Sequence, residues 1–247
     1  MRAPGARRGA PLLFLVFFFI VGLCCSLFAS DEIQKYGKVP DFSFMDQNGN
    51  TITNSDLQGL WVANFIFTRC QGMCPMLTGK MAALQEKFKD VNIKLVSFSV
   101  DPEFDTSRVL SQYAANYRAT PGKWFFLTVN QRQMMWDFIM SGFMLGVGEP
   151  TQEDIAQGAE PVMHSSRFVL ASGNNIIGYY DSNEPEEMEE LFQNVLNLES
   201  SLRGSKQSKA EAISDLGLLR RTDRSAPENE AAVRRSNNRR RPSASSQ

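Results

Sequence analysis

Cys70 and Cys74 stand four residues apart in Phe67-Thr68-Arg69-Cys70-Gln71-Gly72-Met73-Cys74-Pro75-Met76-Leu77. An apolar, aromatic-rich run ends at the first thiol, and a helical pattern begins near the second. If one helical turn holds both, their Cβ atoms lie about 5–6 Å apart on one face. That spacing suits shared coordination of one soft metal ion. It equally suits a disulfide, because the Cα separation of about 6 Å falls in the range such a bond tolerates. Near a helix N-terminus, exposed backbone N–H groups are expected to acidify both thiols, and Arg69 would add to this.

Two thiolates leave a soft-metal site short of donors. His164 is the single histidine of the chain, placed after a long loop and immediately before an expected strand. Sulfur with imidazole suits copper in either oxidation state, and zinc as well. A structural zinc site would want a fourth protein ligand, and none stands at ligand spacing. Met73, Met76 and Met163 flank these residues and could offer thioether contacts, but helical spacing and a total of 11 Met favour core packing. Asp101-Pro102 at a strand end reads as a turn before a helix. A thioredoxin-type oxidoreductase would use Cys-x-x-Cys preceded by Trp, and a peroxiredoxin would carry Thr where Phe67 stands.

These residues need a scaffold. Phe42 to Thr53 alternates around Asn48-Gly49, a hairpin signature. Leu60 to Phe67 reads as a strand buried on both faces. Leu77, Met81, Leu84 and Phe88 mark an amphipathic helix. A strand over Val91–Val100 follows, then a helix capped by Asp105 or Thr106 and running to Tyr117. A strand over Trp124–Val129 and a helix over 131–144 come next. The loop Gly146–Pro161 is long enough to suspect of function. Strands over Ser166–Ala171 and Ile176–Tyr180 and a helix over Glu184–Leu198 complete the order. Such alternation predicts an α/β fold with a mixed central sheet flanked by helices.

The termini differ in composition. Arg2, Arg7 and Arg8 precede an uncharged apolar run over 11–29, followed by Asp31 and Glu32. Its length of about 18–19 residues borders on that of a spanning helix. The expected organisation is a basic cytoplasmic N-terminus over 1–10 and a transmembrane signal anchor over 11–30. A folded domain over 31–199 and a disordered basic tail over 200–247 follow, the tail having a weak helical pattern over 206–219. The Arg cluster places the folded domain outside the cytoplasm, at a bacterial inner membrane facing the periplasm. Cys24 and Cys25 read as small apolar residues of the anchor. The tail carries eight Arg against three acids between Arg220 and Arg241. It reads as solvated, with attraction to anionic lipids as the alternative. A net charge of -1 gives no reason to invoke nucleic acid.

Assembled, Phe67-Thr68-Arg69-Cys70, Cys74-Pro75-Met76-Leu77, Ser99-Val100-Asp101-Pro102 with Asp105-Thr106, Tyr113-Ala114 and the distal His164 resemble the Sco/SenC family of copper proteins. The resemblance spans roughly residues 38–198. It implies a thioredoxin-like fold on one N-terminal membrane helix and a copper site of Cys70, Cys74 and His164. It further implies delivery of copper to the dinuclear centre of cytochrome c oxidase subunit II, with periplasmic copper chaperones or thiol reductases as further partners. The alternative is a thiol-disulfide reductase in which Cys70 and Cys74 form a redox pair without stable copper carriage, which leaves open whether the protein is an enzyme. Two departures stand out: many members have Pro where this chain has Gln71, and Asp where it has Met163.

Overall fold

The computed structural model of the chain describes residues 36–223. Its elements are β1 (Gly37–Lys38), β2 (Ser43–Met45), β3 (Thr51–Thr53), β4 (Leu60–Ile66), α1 (Met73–Lys87), β5 (Ile93–Ser99), α2 (Ser107–Asn116) and β6 (Trp124–Leu127). After these come α3 (Arg132–Phe143), β7 (Val147–Gly148), α4 (Gln152–Ala156), β8 (Met163–His164), β9 (Arg167–Ser172), β10 (Asn175–Asp181) and α5 (Pro185–Asp223). Six strands form one sheet in the order β1-β10-β9-β4-β5-β6. β4, β5 and β6 run parallel, while β9 is antiparallel to β4, and β10 and β1 alternate onward from it. The mixed α/β sheet is as the sequence predicts.

β4 lies at the centre because all seven of its residues are buried, which only a strand covered on both faces can satisfy. Trp61 and Phe65 contact Phe143 of α3 edge-to-face, and Phe98 of β5 extends that aromatic layer to Phe138, Phe42 and Phe44. The hairpin β2–β3 thus belongs to the α3 face. α1 and α5 pack against each other through Phe88 stacked on Phe192. The hairpin turn forms at Asn48-Gly49, where Gly49 takes a positive φ and the buried Asp46 carboxylate accepts the N–H groups of Asn48 and Asn50.

Two expectations need correction. α5 does not end near Leu198: it continues unbroken through Asp223, across the segment 200–223 assigned to a disordered tail. Between 199 and 211 the helix is supported locally, as by Arg203 paired with Glu199 and Gln207 bonded to Glu211. The remaining tail residues 224–247, and the anchor with Cys24 and Cys25, lie outside the described residues. Among the described residues no helix is long and apolar enough to cross a membrane. The loop 146–161 also carries structure: β7 pairs with β8, setting Val147 opposite His164.

Candidate metal centre

β4 ends in the aromatic core at Ile66, and Phe67 to Gly72 carry the chain across the edge of the sheet into α1. Thr68 anchors this passage by donating its amide and hydroxyl to the carboxylate of Asp105, which also accepts Ser99 Oγ. α1 then starts at Met73 with Pro75 in its first turn, where the missing N–H has no intrahelical partner to lose. Both thiols are buried and free. The Cys74 amide donates to Cys70 Sγ at 3.4 Å, and the Phe67 amide donates to Cys74 Sγ at 3.5 Å.

His164 arrives from the other side on the β7–β8 hairpin. Its Nε2 lies 3.2 Å from Cys74 Sγ, and its Nδ1 lies 3.1 Å from the carbonyl oxygen of Ser165. That carbonyl can only accept, which assigns the proton to Nδ1 and leaves the Nε2 lone pair facing the Cys74 sulfur. The Phe67 ring meets the imidazole edge-on and fixes its plane. Burial holds His164 below its ordinary range, so the imidazole is neutral and able to donate to a metal.

The structure thus brings Cys74 and His164 into contact, while Cys70 lies outside α1, in the loop before it, with its Sγ accepting the Cys74 amide. Among the described residues, no three His, Cys, Asp or Glu side chains form a closed metal cage. A trigonal site would require the Cys70 sulfur to turn from the Cys74 amide toward the Cys74–His164 pair. The donor chemistry, two sulfurs and one unprotonated imidazole nitrogen, fits a soft or borderline metal ion.

Three expectations about this site change. Cys74 is not acidified: burial pushes its thiol well above the ordinary range, and the Phe67 N–H does not offset that. Arg69 does not face the sulfurs; its Nε donates to Asp101 at 2.6 Å and its guanidinium covers the Phe104 ring. Met73, Met76 and Met163 are not core residues, being 40%, 47% and 50% exposed.

Residues missed in sequence tie the two halves together. Asp101 is fully buried and also accepts Arg132 Nη2 at 3.1 Å, so it is more than a turn. Arg132 in turn reaches Glu103 and Glu149, the latter directly after β7. Glu160 Oε1 accepts the Gln71 amide at 3.1 Å. A Pro at position 71 has no such N–H, so the departure at Gln71 supplies a link between the Cys loop and the His164 arm.

Comparison with known proteins places this geometry. The chain is 32% identical over 185 residues to the SCO1 protein homolog of Bacillus subtilis, covering 73% of this chain and 91% of the relative. It superposes with a TM-score of 0.58 and 30% identity on BsSco, described as a member of the Sco family of cytochrome c oxidase assembly proteins with a disulfide switch, covering 68% of this chain and 96% of that one. Arabidopsis thaliana ScoI with copper bound matches at a TM-score of 0.54 and 26% identity, over 65% of this chain and 97% of that one. With the SCO1/SenC family model matching residues 30–198, the chain belongs to the SCO1/SenC family.

Proposed function

We propose that this chain is a copper metallochaperone that holds the ion on Cys70, Cys74 and His164 and passes it on during cytochrome c oxidase assembly. The observation that carries the reading is the 3.2 Å approach of His164 Nε2 to Cys74 Sγ, with the free thiol Cys70 in the loop just before α1. A lone pair aimed at a thiol is a site in which a metal ion can replace one proton. The copper-bound relative and the oxidase-assembly relative support the same direction. The dinuclear centre of oxidase subunit II is the expected recipient. The Arg2, Arg7, Arg8 cluster and the apolar run over 11–29 support an anchor with the folded domain in the periplasm.

Loading deprotonates the thiols, and the neutral imidazole enters without losing a proton. Release follows ligand exchange: a recipient's thiolate or thioether displaces His164 first, since it is the one donor not chelating from the Cys loop. Thiol–disulfide exchange with an external disulfide, which leaves as its dithiol, oxidises Cys70 and Cys74 to a disulfide, removing two donors at once and closing the site.

The test is copper stoichiometry and affinity on the reduced protein against His164→Ala. One equivalent per chain is expected, with His164→Ala weakening it by more than the roughly 10–100-fold typical of outer-shell partners. Equal binding by the two proteins overturns the site.

A further inference from the structure

The arm that carries His164 leaves at β7 and returns at β8, and every residue over 155–159 between them is exposed. Glu160 breaks that run. It is half-buried, and its Oε1 accepts the Gln71 amide at 3.1 Å. The same oxygen lies 3.2 Å from where a Cβ at Gly72 would stand, so the carboxylate rests on bare backbone of the Cys loop. From Glu160 to His164 the chain is short and stiff. Pro161 fixes its own φ, Val162 is buried, and Met163 and His164 form β8. A restraint at Glu160 is therefore felt at the imidazole, whose Nε2 lies 3.2 Å from Cys74 Sγ.

The arm has a second tie, from Glu149 to Arg132 at 3.5 Å, but that carboxylate is 70% exposed and such a pair contributes little. Glu160 instead bonds to a backbone N–H whose position is fixed from elsewhere. Thr68 and Arg69 anchor the Cys loop on Asp105 and Asp101, neither of which belongs to the arm. We propose that Glu160 is a latch: closed on the Gln71 amide, it holds His164 against Cys74 and sets how readily the imidazole gives up a bound Cu(I) ion. Glu160 is a positioning residue, acting through the arm rather than as a ligand. Opening breaks no covalent bond, since the carboxylate exchanges the amide for water and the arm departs with its imidazole. A chain with Pro at position 71 has no N–H there and cannot close the latch. The latch deepens the copper reading and rests on it for what it controls, but not for its detection.

The test follows anaerobic transfer of Cu(I) from the loaded, reduced full chain to excess bicinchoninate. Glu160→Ala is expected to speed transfer about fivefold, the factor that one net hydrogen bond is worth. Glu160→Gln keeps an acceptor oxygen and should stay within about twofold of the wild type. Gln71→Pro should match Glu160→Ala, and the double variant should be no faster than either, because both remove the same bond. Glu153→Ala takes an equal charge from the exposed α4 and should transfer as the wild type does. The Glu160 charge disfavours the Cys74 thiolate, so a purely electrostatic role would slow transfer in both Glu160 variants. In the metal-free protein, amide exchange over 146–165 should quicken in Glu160→Ala and not in Glu160→Gln. The thermal midpoint of each variant reports that it is folded. The latch is overturned if Glu160→Ala transfers no faster than the wild type, or if the effects multiply in the double variant. Unchanged exchange in metal-free Glu160→Ala overturns it without reference to copper. A wild type that retains no copper instead defeats the copper reading, and the release role with it, so the two failures are separate.

Discussion

Asp101 offers the most demanding test of how the two halves of the site are held. Its carboxylate is fully buried, with Arg69 Nε at 2.6 Å on one oxygen and Arg132 Nη2 at 3.1 Å on the other. Asp101→Asn keeps the shape, removes the charge, and sets an amide N–H₂ against a guanidinium. Breaking a buried pair by removing one partner costs about 3–5 kcal/mol. The arginine side chains are 42% and 24% exposed, so water recovers part of their solvation and the expected cost falls to about 2–3 kcal/mol. At roughly 2–4 °C per kcal/mol for a domain of this size, the thermal midpoint should drop by about 4–12 °C. The assay is thermal unfolding of the reduced, metal-free protein by circular dichroism. Arg132→Met and the double variant complete a cycle, and a coupling near 1 kcal/mol or more is expected because the groups share hydrogen bonds. A midpoint within 1 °C of wild type, or strictly additive effects, would refute the claim that Asp101 joins the Cys loop to α3.

The other predictions concern neighbouring contacts. Burial raises Asp105 above the ordinary carboxylate range despite the bonds from Ser99 and Thr68, so the folded state holds that proton more tightly than the unfolded chain. The associated stability is present below the unfolded carboxylate pKa of about 3.9 and is lost as pH rises through the higher folded value. Urea unfolding from pH 4 to 7 should therefore show Asp105→Asn gaining on wild type as pH rises, and a constant difference would contradict this. Gln71→Pro removes the N–H that Glu160 accepts and should cost about 1 kcal/mol, with faster amide exchange in the loop 146–161; unchanged exchange there would show that the link carries no strain. Gly142→Ala places a Cβ 2.5 Å from Pro40 Cδ, and the overpacking should cost about 1–3 kcal/mol in denaturant melts. An unchanged melt would mean that the segment after β1 shifts freely.

What was legible in the sequence was whatever depended on neighbours along the chain. The Asn48-Gly49 turn, the Thr106 cap of α2 and the apolar run of β4 each carry their own local signal, and each forms where that signal lies. The pairing of Cys74 with His164 was legible for a different reason: a dithiol short of donors and one histidine leave few combinations. What escaped depends on burial and on long-range charge. A helix N-terminus acidifies a thiol only while water or N–H groups solvate the thiolate, and at Cys74 desolvation outweighs the single Phe67 N–H. The methionines at 73 and 76 keep helical spacing, yet the face they occupy is set by where α1 meets the sheet, and Cys74, Leu77 and Thr78 take the inward positions. The chain of Arg69, Asp101, Arg132 and Glu149 joins four segments about 30 positions apart at each step or less, with no motif to announce it. These misses converge on one physical picture. A buried Cys74 thiol faces a neutral imidazole, and burial is the cause on both sides of the contact. The ion network reaches neither side chain; it ties the Cys loop, through Arg69 and Asp101, to Arg132 at the start of α3 and to Glu149 beyond β7.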